Sequence, residues 1–272
     1  MDAMVLAAGK SGEDFYRAFG TEYKCLVEVA RRPILDWVLR ALHGSAAIGR
    51  IVVIGPVEPL RAIGVTAETL PIETESYAES VGTALRAAEG ERVLLIAADV
   101  PLVRPEGLDR YIADCLQKEA DVCFPVVSWE EMQAQLPGAR KTWYDLRDGK
   151  FTKGNAVVAK REALLDKIDR VEALFHARKK KQWAGLICQA FMRRLLGCAA
   201  TRAEIEAALS AYLGLRLKGI EADPVLAVDV DEVSDVAFVA DVLLRRCRDG
   251  STPSQADCWQ ITGTAYPTGP LA

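Results

Sequence analysis

Short unbroken apolar blocks alternate with amphipathic stretches along the first half of the chain. Met4–Ala8 ends at Gly9, Ile51–Ile54 at Gly55-Pro56, and Val93–Ala98 at Asp99. Such runs, bounded by turn residues, predict strands buried on both faces. Between them, Ile34, Leu35, Val38, Leu39 and Leu42 fall on one helical face. Pro33 near the start and Gly44 just past the end bracket that helix. Glu79–Glu89 and Pro105–Lys118 predict two more helices, and Asp121–Val127 another strand. Strand and helix joined by short connections make βαβ units. The expected fold is therefore a three-layer, Rossmann-like α/β domain with a mostly parallel sheet.

The pattern changes after that. Gln133–Gly154 loosens into Pro, Gly and charged residues, predicting loops and short antiparallel strands. Asn155–Ala159 reads as a brief strand, and Arg161–Leu213 as almost wholly helical, broken near Gly197 and Thr201. Leu226–Val230 reads as a last buried strand, followed by a helix over Val233–Cys247. From Asp249 the composition turns to Ser, Thr, Pro, Gly and Gln, a tail that Trp259, Ile261 and Tyr266 are able to pin.

Composition narrows the function. The net charge of −4 argues against a general nucleic-acid binder. The longest apolar window, Trp183–Cys198, is interrupted by Arg193 and Arg194 and falls short of the roughly 20 residues that a membrane span needs. The opening residues carry Asp2 and too few apolar positions for a signal peptide. Seven cysteines without C-x-x-C spacing fit reduced thiols in a cytoplasm. Only His43 and His176 are present, which nearly excludes histidine metal sites and most histidine acid–base schemes.

The remaining candidates are acidic and basic. Asp99 stands just past an apolar strand, where ligands bind in open α/β sheets; its structural alternative is a helix cap or turn. Asp229-Val230-Asp231 ends another apolar run, with Glu232 and Asp235 following as cap candidates. Two strand-end acidic sites suggest a hard cation, Mg²⁺ or Mn²⁺, shared with a substrate phosphate. If both strands belong to one parallel sheet, the Asp99 and Asp231 carboxylates converge within about 8 Å. Lys10 and Lys24 flank the glycine turn and offer positive charge to an anion. The basic run His176–Lys181 reads as a solvated helix face or as an anion site. The Trp183–Leu196 stripe reads as core, as a cover for an apolar acceptor or as a membrane-facing surface.

Taken together, several motifs resemble the MobA-like NTP transferases. These are Leu6-Ala7-Ala8-Gly9-Lys10, the stretch Lys24–Leu35, Ser80–Leu85, Ala98–Leu102, Gly154-Asn155 and Asp229–Glu232. The resemblance spans residues 2 to about 247. It implies a nucleotidyltransferase that moves NMP from an NTP to a phosphorylated small-molecule acceptor and releases pyrophosphate. By the same resemblance, Leu6, Ala7, Ala8 and Gly9 contact base and ribose, and Lys24 a phosphate. Gly82 and Thr83 close over the base, and Asn155 belongs to the acceptor side. Asp99 and Asp231 ligate the metal, with Asp229 beside them. Residues 1–130 then form a nucleotide-binding half, 131–247 an acceptor-side region, and 248–272 a tail.

The chain departs from the family in its first loop, which runs Lys10–Arg17 and then a longer insert before Lys24. This leaves Lys10 and Arg17 as alternatives for the leaving pyrophosphate. A nucleotide-sugar glycosyltransferase and a silent NTP-binding regulator are the rival readings. The sequence allows a homo-oligomer and does not name the base or the acceptor.

Overall fold

The structure is a computed structural model that describes residues 1–72, 76–179 and 200–249. β1 (Asp2–Leu6) leads through the Gly9 loop into α1 (Glu13–Phe19) and a 3-10 turn at Lys24–Leu26. A small hairpin, β2 (Glu28–Val29) and β3 (Arg32–Pro33), turns through Ala30 and Arg31 at φ 50° and 63°. Then come α2 (Ile34–Gly44), β4 (Arg50–Gly55), α3 (Val57–Ala62), β5 (Glu68–Pro71), α4 (Tyr77–Ala87), β6 (Arg92–Ala97), α5 (Pro105–Leu116) and β7 (Val122–Ser128). The looser segment holds α6 (Trp129–Gln135), β8 (Tyr144–Leu146), β9 (Gly149–Lys153) and β10 (Ala156–Lys160), before α7 (Arg161–Leu165) and α8 (Ile168–Lys179). Residues 200–249 add α9 (Arg202–Leu213), β11 (Leu217–Glu221), a 3-10 turn at Pro224–Ala227 and α10 (Val233–Arg248).

Nine strands form one sheet in the order β5-β4-β1-β6-β10-β7-β9-β8, with β11 also paired to β7. Only β9 and β10 run against the rest, so the sheet is mostly parallel, as expected. Side chains alternate across it. Ala3, Val5 and Ala7 pack with α2 and α5 on one face, whereas Met4, Val52, Ile54 and Leu95 pack with α4 on the other. A third cluster joins α1 and the β2–β3 hairpin to α10, through Phe15, Val29, Val236, Val239 and Leu243. β10 enters between β6 and β7, so both halves of the chain share one sheet.

Two expectations need correction. Leu226–Val230 is not a strand: Pro224–Ala227 is a buried 3-10 turn, and residues 228–232 join no ladder. Ala227, Val228 and Val230 are buried in the cluster around α10 and Leu226 in the core beneath α2 and α5, rather than by pairing, and the place beside β7 is taken by β11. The polar stretch after Gly9 is not merely a loop, because α1 docks Phe15 and Phe19 on α10. The Trp183–Leu196 stripe, the Lys180-Lys181 end of the basic run, the helix break near Gly197 and the tail beyond Asp249 lie outside the described residues.

Candidate active site

β1 and β6 run parallel as neighbours, so their carboxyl ends open on the same sheet edge. Past β1, Ala7 is held by an N–H bond to the Ile54 carbonyl, and the chain then emerges at Gly9 and Lys10, both exposed. Apart from Gly9 and its chain neighbours, no heavy atom of the described residues lies within 4 Å of the place a Gly9 Cβ would occupy. This loop is laced to the segment before the 3-10 turn: Lys24 N–H donates to Gly9 O, and Ser11 N–H to Glu22 O at 2.7 Å. The lacing fixes Lys24 over the edge. Arg17, by contrast, sits on α1 engaged by Glu13 and Asp14.

Past β6, Ala98 and Asp99 form a turn. The backbone N–H of Val230 donates to the Asp99 carbonyl at 2.9 Å. That single bond sets Asp229 and Asp231 on either side of the residue paired with Asp99. Convergence thus arises from a crossing segment rather than from a second parallel strand. Lys24 Nζ lies 2.5 Å from Asp231 Oδ1, and Lys141 from the loop after α6 pairs with Asp229.

The electrostatics follow from this crowding. Asp99 is half-buried, and burial, reinforced by the charges of Asp229 and Asp231, pushes its carboxyl up to about 7. Burial pulls the Lys24 ammonium down, but its hydrogen bond to Asp231 and the charges of Asp231, Asp99 and Asp229 outweigh this and hold it above its ordinary value. Cys25, whose thiol donates to Ala7 O, is pushed up to about 12 by burial and by Asp99, and so is no nucleophile. Helix capping at α10 falls to Glu232 and Asp235, which form a capping box, and not to Asp231 or Asp99. The Asp235 carboxylate accepts the N–H groups of Asp231 and Glu232 at the start of α10, leaving Asp231 to Lys24. α5 begins after Arg104, not at Asp99.

Asn155 adjoins the same edge. Its carbonyl accepts Ala97 N–H, its own N–H donates to Leu226 O, and its buried Nδ2 has no hydrogen-bond partner among the described residues. The Ser11 Oγ in the first loop is likewise buried and unpartnered. Groups of this kind have a ligand's polar atoms as natural partners. Gly82 and Thr83 lie one turn inside α4; Gly82 is buried, and a Cβ there would face the Arg86 guanidinium at 3.3 Å. The sequence reading missed Ser11 and Lys141. Only the three-dimensional neighbours of these polar loop residues mark them.

Oxygen donors and a local surplus of carboxylates suit Mg²⁺ or Mn²⁺. Among the described residues no three His, Cys, Asp or Glu side chains form a metal-holding group. A hard cation bound through one or two carboxylates plus substrate phosphates does not require one. His43 bonds Leu39 O on α2 and His176 faces Glu172 on α8, away from the carboxylates. Among the described residues, no helix is long and apolar enough to cross a membrane.

The MobA-like NTP transferase domain model matches residues 3–185. A hypothetical transferase from Thermus thermophilus is 30% identical, with a TM-score of 0.75 over 86% of this chain and 98% of its own. A nucleotidyl transferase from Methanothermobacter thermautotrophicus shares 20% identity at a TM-score of 0.54, over 90% and 97% of the two chains. For 2-C-methyl-D-erythritol 4-phosphate cytidylyltransferase, also from Thermus thermophilus, the values are 16% and 0.53, over 90% and 98%. The latter two likenesses speak for the fold alone. No curated protein matches the chain significantly.

Proposed function

The chain belongs to the MobA-like NTP transferase family, a class of nucleotidyltransferases, and from that premise we propose that it transfers NMP from an NTP to a phosphorylated small-molecule acceptor, releasing pyrophosphate. The observation that carries this reading is the Val230–Asp99 backbone bond, which gathers three carboxylates around Lys24 at the nucleotide loop. In this reading residues 1–130 bind the nucleotide, 131–247 shape the acceptor side, and 248–272 are an appended tail.

Leu6, Ala7, Ala8 and Gly9 receive base and ribose, since the open space at Gly9 leaves room for a ligand against the main chain. Gly82 and Thr83 complete the base side. Lys10 in the loop and Arg17 on α1 are the two candidates for the pyrophosphate contact. Asp99 and Asp231 hold Mg²⁺ or Mn²⁺, with Asp229 beside them. When bound, the metal neutralises phosphate charge and orients the triphosphate. Lys24, kept charged by its acidic neighbours, places a further positive charge at the α-phosphate.

An acceptor phosphomonoester has its second pKa near 6, so it is mostly a dianion at neutral pH and needs no general base. That agrees with a cleft without histidine among the described residues. Asn155 Nδ2 and Ser11 Oγ supply neutral hydrogen bonds to substrate oxygens. Rate then comes from positioning and electrostatics. The buried cysteines Cys25, Cys115 and Cys123 are free thiols, in keeping with a cytoplasmic enzyme.

Thermal shift with each NTP and Mg²⁺ identifies the nucleotide, because a ligand that binds only the native state raises Tm. The expected result is a metal-dependent shift with at least one NTP that is lost in Asp231→Ala. A shift that survives in that variant would remove Asp231 from the site.

A further inference from the structure

One mostly buried charge at the site has no task in nucleotidyl transfer as described so far. Lys141 and its partner Asp229 have side chains only 12% and 18% exposed. The loop that carries Lys141 is anchored on both sides of it. Gly138 turns at φ +93°, Ala139 and Trp143 pack into the α10 cluster, and Arg140 reaches Glu232 at 3.2 Å and Ser234 Oγ at 3.0 Å. Lys141 therefore enters the carboxylate cluster from the acceptor-side segment, while Lys24 enters beside the nucleotide loop.

Two ammoniums already balance two of the three carboxylates. A buried ion pair adds little net stability, because removing both charges from water offsets their attraction. A dication held by Asp99 and Asp231 would add two positive charges next to Lys141 and would compete with its ammonium for Asp229. An ammonium on a flexible four-carbon stem is free to turn to another anion nearby.

We propose that Lys141 is a second phosphate lysine, parked on Asp229 in the substrate-free protein and released to the acceptor's phosphate when the divalent cation binds. This rests on the metal-dependent reading above and assigns the acceptor's anionic group to a particular side chain.

Binding of Mn²⁺ to the full chain without nucleotide, followed by electron paramagnetic resonance, tests the exchange. Lys141→Met is expected to bind Mn²⁺ about tenfold more tightly, a usual size for coupling between sites. Arg140→Met removes a neighbouring charge not bonded to Asp229, and its shift should stay under about twofold. Inorganic phosphate is the anionic probe, measured by calorimetry. Wild type should bind it more tightly with Mn²⁺ than without, and Lys141→Met should lose most of that gain. Asp229→Asn, with Lys141 already released, should bind phosphate without Mn²⁺ more tightly than wild type does. This last variant keeps the test decisive if Lys141→Met fails to fold.

Equal Mn²⁺ affinity in wild type and Lys141→Met, or unchanged phosphate binding in Asp229→Asn, overturns the exchange. If Asp99→Asn and Asp231→Asn bind Mn²⁺ like wild type, the metal assignment itself fails. If they lose Mn²⁺ while Lys141→Met tracks wild type, only the lysine exchange fails.

Discussion

At the scale of single residues, Asp99 is a candidate site group held at a cost to the fold. Its folded value of about 7 exceeds the ordinary carboxylate value, so the native state binds the extra proton. Stability contributed by that proton is present at low pH and lost as pH rises through about 7. Asp99→Asn is therefore expected to raise Tm by about a few degrees at pH 8, with the gain vanishing near pH 4, while turnover falls at least about a hundredfold. Melting curves at both pH values check this; a lower Tm at pH 8 would make Asp99 a structural residue. Gly9 is the complementary case. Its Cβ position is open and its φ is not left-handed, so Gly9→Val should leave Tm within about a degree or two yet abolish NTP binding by filling the ligand's place. Unchanged NTP affinity would take the loop out of the site. Asp99 and Gly9 were legible as candidates in sequence because each ends an apolar block. Lys141 was not, since its partner lies 88 positions away and nothing local marks it.

Among elements, legibility followed the length and purity of the apolar run. β1, β4 and β6 are buried on both faces and read as unbroken blocks, and α2, α4 and α5 show one apolar face. β11 escaped because Lys218 and Gly219 interrupt it. Gly219 is there for packing: a Cβ would come within 2.7 Å of Val126 Cγ2. Leu226–Val230 misled for the opposite reason, being apolar and buried without pairing. Its position depends instead on Gly154, where a Cβ would meet Pro125 Cβ at 2.8 Å and Leu226 O at 2.9 Å. Gly154→Ala should destabilise the protein by about 1–3 kcal/mol through overpacking and shift the segment that carries Asp229 and Asp231. Urea unfolding measures the first effect and Mn²⁺ affinity the second. A variant with wild-type values for both would show that the 224–231 segment is not positioned from β10.

For the whole molecule, the sheet joins what the sequence separated into halves. β10 lies between β6 and β7, and Asn155 just before it bonds both Ala97 and Leu226, so the Gly9 loop, the acidic cluster and the 224–231 segment meet on one edge. The division into regions follows chain order, whereas the candidate site takes residues from both sides of it. The order of the motifs made the family legible, but not the Lys141 loop, which has no periodic pattern to read. The central claim is nucleotidyl transfer at the Asp99–Asp231 cluster. Its most direct test incubates the full chain and Mg²⁺ with NTPs labelled at the α-phosphorus and a panel of small phosphomonoesters. The expected result is pyrophosphate released one-for-one with a labelled, nucleotidylated acceptor, at a rate at least about a hundredfold lower in Asp99→Ala and Asp231→Ala. Label transfer at the wild-type rate in both variants, or NDP release from nucleotide sugars with no pyrophosphate from any NTP, would contradict it.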